Sequence, residues 1–121
     1  MTKIKGKKIK LGIVGGGSGS WIGHVHRIAA RFDDQYEIVS GVFSRNPKTS
    51  SKFGQSLGIN KDRCYSDYKK MANIEAKRTD GINVVAIMTP PGSHQIIAET
   101  FINKNINIIS DKPFAGNLKQ A

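Results

Sequence analysis

The sequence predicts an α/β fold built on a doubly wound parallel sheet, and three observations lead there. Short apolar runs alternate with segments of helical periodicity, in the order βαβαα and then βαβ. One run, Asn83-Val-Val-Ala-Ile-Met88, is continuously apolar, as a parallel strand buried on both faces is. The first run ends in a turn of small residues that leads straight into a helical segment: Gly12-Ile-Val-Gly15-Gly-Gly17-Ser-Gly19-Ser20-Trp-Ile-Gly23. Parallel strands joined through helices need right-handed crossovers, which wind helices onto both faces of the sheet.

Each element has its own signal. Ile9-Lys-Leu-Gly-Ile-Val14 alternates and then runs apolar, as a strand does when it enters a core. Ile22, Val25, Ala29 and Phe32 recur at three- and four-residue steps and predict one face of a helix. Tyr36 to Phe43 is rich in Ile and Val and predicts a second strand, ended by Ser44-Arg45-Asn46-Pro47. Asn46 is placed to cap the next helix and Pro47 to occupy its first turn. Phe53 and Leu57 lie one helical turn apart before Gly58 closes that segment. A further helix is predicted from a Ser66 cap through Tyr68, Met71 and Ala72, ending before Thr79-Asp-Gly81. Pro90-Pro91-Gly92 breaks the strand that ends at Met88, and Ser93 is predicted to cap a helix carrying Ile97, Ala98, Phe101 and Ile102. Ile106-Asn-Ile-Ile109 predicts a last short strand, followed by Ser110-Asp-Lys-Pro-Phe114.

Length and charge bound the function. A chain of 121 residues is one domain or part of one. The net charge of +10 raises nucleic acid as a partner, but five lysines (3, 5, 7, 8 and 10) crowd the first ten residues and leave 14 cations against 9 acids elsewhere. Residues 1–7 therefore read as a basic extension and 8–121 as the domain, with an ordinary cation excess for a protein that holds an anionic cofactor. No apolar stretch is long enough for a membrane span, and no uninterrupted signal-peptide core follows the basic start. With Cys64 the only cysteine, no internal disulfide can form, and a cytoplasmic protein is the expectation. His24 and His26, two apart on a helix and without a supporting Cys or carboxylate cluster, are not expected to hold a metal.

In doubly wound sheets, ligands bind outside the carboxyl ends of the strands. The first loop there, with Gly15, Gly17, Ser18, Gly19 and Ser20, offers backbone N–H groups at a helix N-terminus, the chemistry that receives a pyrophosphate. It is the dinucleotide-binding fingerprint, with Ser20 in the place of the third small residue. Trp21 would pack beside that pyrophosphate or at the core edge. The second loop carries Ser44 and Arg45, with no acid until Asp62. An acid in this loop pairs with a ribose 2′-hydroxyl and a cation accommodates a 2′-phosphate, so NADP is favoured over NAD. The absence of G-K-[ST] after the glycines argues against phosphate-loop NTPase chemistry.

The third loop, Thr89-Pro-Pro-Gly-Ser-His94, and the fourth, Asp111-Lys-Pro113, resemble the T-P-N-x-x-H and E-K-P motifs of the Gfo/Idh/MocA oxidoreductases. The resemblance runs from about Lys8 to the last residue. Pro91 stands for the usual Asn, and Asp111 for the usual Glu. It implies a Rossmann-like domain performing NAD(P)-dependent hydride transfer on a sugar, polyol or related hydroxyl or carbonyl compound. On the same resemblance, Lys112 is the catalytic residue, beside the nicotinamide and hydrogen-bonded to the reacting oxygen. Asp111 binds a ribose hydroxyl, and Pro113 fixes the lysine inward. Thr89 and Pro90 line the cofactor cleft, with His94 either in contact with it or holding a helix end. Family members continue into a second α/β domain that supplies the substrate pocket and the homo-oligomer interface, so the chain is expected to be the N-terminal, truncated part of such an enzyme. Two alternatives stay open: a dinucleotide- or sugar-sensing module without chemistry, and part of a redox-neutral glycosidase that uses NAD.

Overall fold

The computed structural model describes residues 8–110 and 118–119. The basic extension and the predicted residues Asp111, Lys112 and Pro113 lie outside the described residues. Five strands form one parallel sheet: β1 (Ile9–Gly15), β2 (Tyr36–Val42), β3 (Cys64–Tyr65), β4 (Val84–Met88) and β5 (Asn107–Ser110). Their order is β3-β2-β1-β4-β5, so the chain winds outward from β1 in one direction and from β4 in the other. Four helices make the crossovers: α1 (Trp21–Phe32), α2 (Pro47–Ser56), α3 (Tyr68–Lys77) and α4 (His94–Ile102). This is the predicted α/β class, a Rossmann-like doubly wound sheet.

The sheet is coated on both faces. On one, Met71 and Ala72 of α3 and Ile97, Ala98 and Phe101 of α4 pack with Val14, Val85 and Ile87. On the other, Ala30 of α1 packs with Leu11, Ile13, Val84 and Ala86, joined by Phe53 and Leu57. All five residues of β4 are buried, which is why its sequence is unbroken by polar residues.

The local chemistry departs from the sequence reading at five points. The two-residue β3 lay below the length at which strand patterning is visible. It pairs with the end of β2 through Gly41 and Val42. The cap of α3 is Asp67, whose carboxylate accepts from the Lys69 N–H at 2.9 Å, rather than Ser66. Ser93 caps no N–H of α4; it sits in helical backbone, and its hydroxyl turns back to Thr89 Oγ1 (2.7 Å) and the Pro90 carbonyl (2.8 Å). The last strand starts at Asn107, one residue after Ile106. The face that α1 buries is Gly23, Arg27 and Ala30, while Trp21, Val25, Ile28 and Phe32 form a stripe on its outer side. Phe32 is 84% exposed and Trp21 77%, so Trp21 does not close the core edge among the described residues. At Gly23 the inner face carries no side chain because α1 there meets the Gly16 backbone.

Buried polar groups tie the β2–β3–α3 side together. Arg63 forks onto the Glu75 carboxylate through Nε (3.2 Å) and Nη2, Tyr65 donates its hydroxyl to the same carboxylate at 2.8 Å, and Arg63 Nη2 also donates to the Asp80 carbonyl at 3.1 Å. Ser50 Oγ accepts from the Phe43 N–H at 3.0 Å and donates to the Tyr65 carbonyl at 2.5 Å, fixing the chain as it leaves β2.

Candidate functional site

The strand order reverses between β1 and β4, and the loops that leave their carboxyl ends diverge to opposite faces. A crevice at such a point is the usual ligand site of an open α/β sheet. Here a cleft of about 650 Å³ opens, lined by Gly15, Ser44, Arg45, Thr89 and Pro90 among the predicted residues. That volume is within the range of about 300–1,000 Å³ that small-molecule and cofactor sites occupy.

The glycines have separable roles. Gly15 has φ +90°, and a Cβ there would stand 3.0 Å from the Met88 carbonyl and 3.1 Å from the Thr89 nitrogen, so β1 can turn only as glycine where β4 ends. A Cβ on Gly17 would overlap the Phe43 carbonyl oxygen, which brings the loop against the chain leaving β2. Ser18 and Gly19 form the exposed tip of the turn. Ser20 is the N-cap of α1: its Oγ accepts from the Gly23 N–H at 3.1 Å, and its own N–H donates to the Gly17 carbonyl at 3.0 Å. The loop therefore leads from Gly15, which lines the cleft, into the capped start of a 12-residue helix, its positive dipole end; residues Gly17 to Ser20 themselves are not in the cleft lining.

Gly23, and not Ser20, which stands in the place of the fingerprint's third small residue, makes the close packing of α1 on the turn. A Cβ on Gly23 would overlap the Gly16 carbonyl oxygen and lie 2.7 Å from Gly16 Cα. Its signal was legible, since Gly23 closes the same small-residue run. Two further contributions could not be found by spacing. Lys69, in the first turn of α3, joins Arg45 along the cleft, and Arg27 reaches back from α1 to the Gly16 carbonyl at 2.8 Å. The lining also holds one carboxylate, Asp67, and capping α3 does not cancel its charge, so Arg45 and Lys69 outnumber the acid at this end by two to one.

His94 is buried at 1% exposure, and its Nε2 lies 2.5 Å from the Thr89 carbonyl oxygen. It thus supports the third loop from beneath, while the Ser93 hydroxyl ties the same loop from above.

A parallel sheet with its crevice at the strand reversal, a glycine turn leading into a helix start and basic groups beyond β2 define the NAD-binding Rossmann class of domain. Within it the chain belongs to the Gfo/Idh/MocA oxidoreductase family: residues 9–121 match that family's NAD-binding Rossmann fold. It is 38% identical over 112 residues to the uncharacterized oxidoreductase YfiI of Bacillus subtilis, covering 92% of this chain and 28% of that protein. An oxidoreductase from Sinorhizobium meliloti superposes with a TM-score of 0.89 at 47% identity, covering 95% of this chain and 32% of the other. An inositol dehydrogenase homolog from Azotobacter vinelandii, solved with NAD+, superposes with a TM-score of 0.91 at 36% identity, covering 94% of this chain and 29% of the other. The same homolog has been solved with NADH and myo-inositol. The chain spans about a third or less of the length of these relatives.

Proposed function

We propose that the chain is the cofactor-binding part of an oxidoreductase that moves a hydride between a nicotinamide dinucleotide and a hydroxyl or carbonyl carbon of a polyol, sugar or related compound. The observation that carries this reading is the cleft at the strand reversal, where Gly15 at the start of the glycine turn meets Thr89 and Pro90 after β4 and Ser44 and Arg45 after β2; Gly17, Ser18, Gly19 and Ser20 are not part of its lining and follow Gly15 into α1. A Cβ on Gly15 or Gly17 would meet protein backbone, whereas at Gly19, on the exposed tip, it would meet nothing within 4 Å; the turn there presents bare backbone that a pyrophosphate could approach, so it fits the group. Gly17, Ser18, Gly19 and Ser20 would hold the pyrophosphate, Ser44 and Arg45 the adenosine ribose, and Thr89 and Pro90 the nicotinamide side, with His94 keeping Thr89 in place. Nicotinamide, when bound, supplies the hydride acceptor or donor.

Lys112 and Asp111 complete the assignment through the family resemblance. The Lys112 ammonium would hydrogen-bond the reacting oxygen and stabilise negative charge on it, and Asp111 would take a ribose hydroxyl. Substrate binding, oligomer formation and turnover belong on this reading to a second domain, in a cytoplasmic enzyme. The myo-inositol held by the Azotobacter homolog supports a polyol or sugar substrate.

Arg45 and the neighbouring Lys69 favour NADP, whereas the Azotobacter homolog holds NAD+ and NADH. Parallel calorimetric titrations with NADPH and NADH, on the native chain and on Arg45→Ala, test both parts of the reading. A preference for NADPH that disappears in Arg45→Ala supports the NADP assignment. A preference for NADH overturns that assignment and keeps the dinucleotide site. Failure of the folded chain to bind either overturns the site.

A further inference from the structure

We propose that Arg27 is a positioning residue of the dinucleotide site: from beneath, it orients the glycine turn and supplies the positive charge against which the pyrophosphate is bound. This rests on the dinucleotide reading and deepens it. Arg27 lies on the inner face of α1 and is 9% exposed, an unusual place for a guanidinium. Its Nη1 donates to the Gly16 carbonyl at 2.8 Å, and its guanidinium lies over the Phe53 ring, 5.1 Å from the centroid. Phe53 in turn packs on Phe43, with ring centroids 5.1 Å apart, and the Phe43 carbonyl is the group that meets Gly17. Arg27 thus touches both ends of the Gly16–Gly17 segment, one directly and one through two aromatic rings.

The geometry of one peptide unit gives this contact a consequence. In a planar trans peptide the carbonyl of one residue and the N–H of the next point to opposite sides. A Gly16 carbonyl held toward α1 by Arg27 therefore turns the Gly17 N–H away from α1, leaving it to serve an anion as a donor. Lysine could supply the charge but not the planar face on Phe53 together with a directed donor, so the guanidinium is specifically suited.

Charge supplies the second argument. Among the described residues no carboxylate pairs with Arg27; burial and then the neighbouring Arg31 push its guanidinium below its ordinary value. Burying a cation without a counter-ion is costly. A pyrophosphate bound on the turn would add the full negative charge that the Gly16 carbonyl and the Phe53 ring do not supply to this guanidinium.

The test compares Arg27→Gln, which keeps a donor for Gly16 and removes the charge, with Arg27→Lys and Arg27→Met. Binding of NADH, NADPH, ADP-ribose and adenosine is measured by calorimetry on the 121-residue chain at two salt concentrations, with far-UV circular dichroism and thermal unfolding alongside. The expected result is a loss of about tenfold to a hundredfold for the pyrophosphate-containing ligands in Arg27→Met. Losses should be smaller in Gln and Lys, with a weaker salt dependence in Gln and Met than in Lys and an adenosine affinity unchanged within twofold. If Arg27→Met does not fold, the folded Gln and Lys variants decide, because a purely structural arginine would lower stability without separating pyrophosphate ligands from adenosine. Equal binding of ADP-ribose by native and Gln chains, or equal losses for ADP-ribose and adenosine, overturns the role of Arg27 and leaves the dinucleotide site standing. A native chain that binds no dinucleotide overturns the underlying reading, and the role of Arg27 with it.

Discussion

Replacing Gly23 by alanine separates the stability of the fold from the integrity of its loop. The added Cβ would lie 2.7 and 2.8 Å from Gly16 Cα and carbonyl carbon, and would overlap the carbonyl oxygen. Ordinary carbon contacts are about 3.5–4.0 Å, so α1 and the turn must part by roughly an ångström. All three obstructing atoms are backbone, and no side-chain rotation relieves them. Strain of this kind costs about 1–3 kcal/mol, offset by about 1 kcal/mol gained from replacing glycine inside a helix. The net loss of stability is then about 0–2 kcal/mol, small enough for the chain to remain folded. Binding should fall further, because the same displacement lengthens the Arg27–Gly16 contact and turns the Gly17 N–H. A loss of at least tenfold in NADH or NADPH affinity is expected, measured by calorimetry, with unfolding in urea giving the stability change separately. An alanine variant that binds within twofold of the native chain would refute the claim that this close approach shapes the pyrophosphate site.

Three further outcomes follow from the β2–β3–α3 side. Glu75→Ala removes the partner of a guanidinium that is itself only 8% exposed, and should destabilise by about 3–5 kcal/mol. An Arg63→Met/Glu75→Leu double variant should recover part of that loss in urea unfolding, and a double variant no more stable than Glu75→Ala would count against the explanation. Desolvation first, then the hydrogen bond to Glu75 and its charge, hold the Tyr65 phenol well above its ordinary value. The folded chain therefore keeps that proton where the unfolded chain loses it, so this contribution is intact below about pH 10 and falls above it by up to about 1.4 kcal/mol per pH unit. Unfolding midpoints at pH 9, 10 and 11 should drop less steeply in Tyr65→Phe, and parallel slopes would refute the assignment. Burial raises the Cys64 thiol, so its alkylation by iodoacetamide at pH 8 should be roughly severalfold slower than that of free cysteine; an equal rate would contradict it.

The fold was legible because its signals are local and repeated. Asn46 caps α2 through a bond to the Thr49 N–H at 3.1 Å, Pro47 opens that helix, and the apolar run before Pro90 is the fully buried β4. The misreadings come from contacts between distant segments. Cys64–Tyr65 is a strand only because Gly41 and Val42 lie beside it. The apolar periodicity of α1 was real, but of the predicted face only Ile22 packs against the core, while Val25, Ala29 and Phe32 are exposed. Periodicity reports that a stripe exists, whereas at Gly23 the inner surface of α1 is set by how near it comes to Gly16. Glycine and alanine carry no periodic signal, and Arg27 carries one that argues for solvent.

The site divides along the same line. The glycine turn was legible because it is written in consecutive residues, Gly15 to Ser20, and strand-end loops are where a doubly wound sheet exposes its residues. Thr89 and Pro90 came to the same cleft as Gly15 because β1 and β4 pair in parallel, with Gly15 opposite Met88. What the sequence could not declare is the partner of each supporting group: His94 on the Thr89 carbonyl, Ser93 on the Thr89 hydroxyl, Arg27 on the Gly16 carbonyl. His94 and Arg27 bond to the loops from buried positions and do not line the cleft, whereas Ser93 lines it while bonding to Thr89. A dinucleotide site on this fold thus combines two kinds of residue. The first is fixed by which residues can leave a strand end without a side chain, and the second by which polar groups can bond to the loops at those ends.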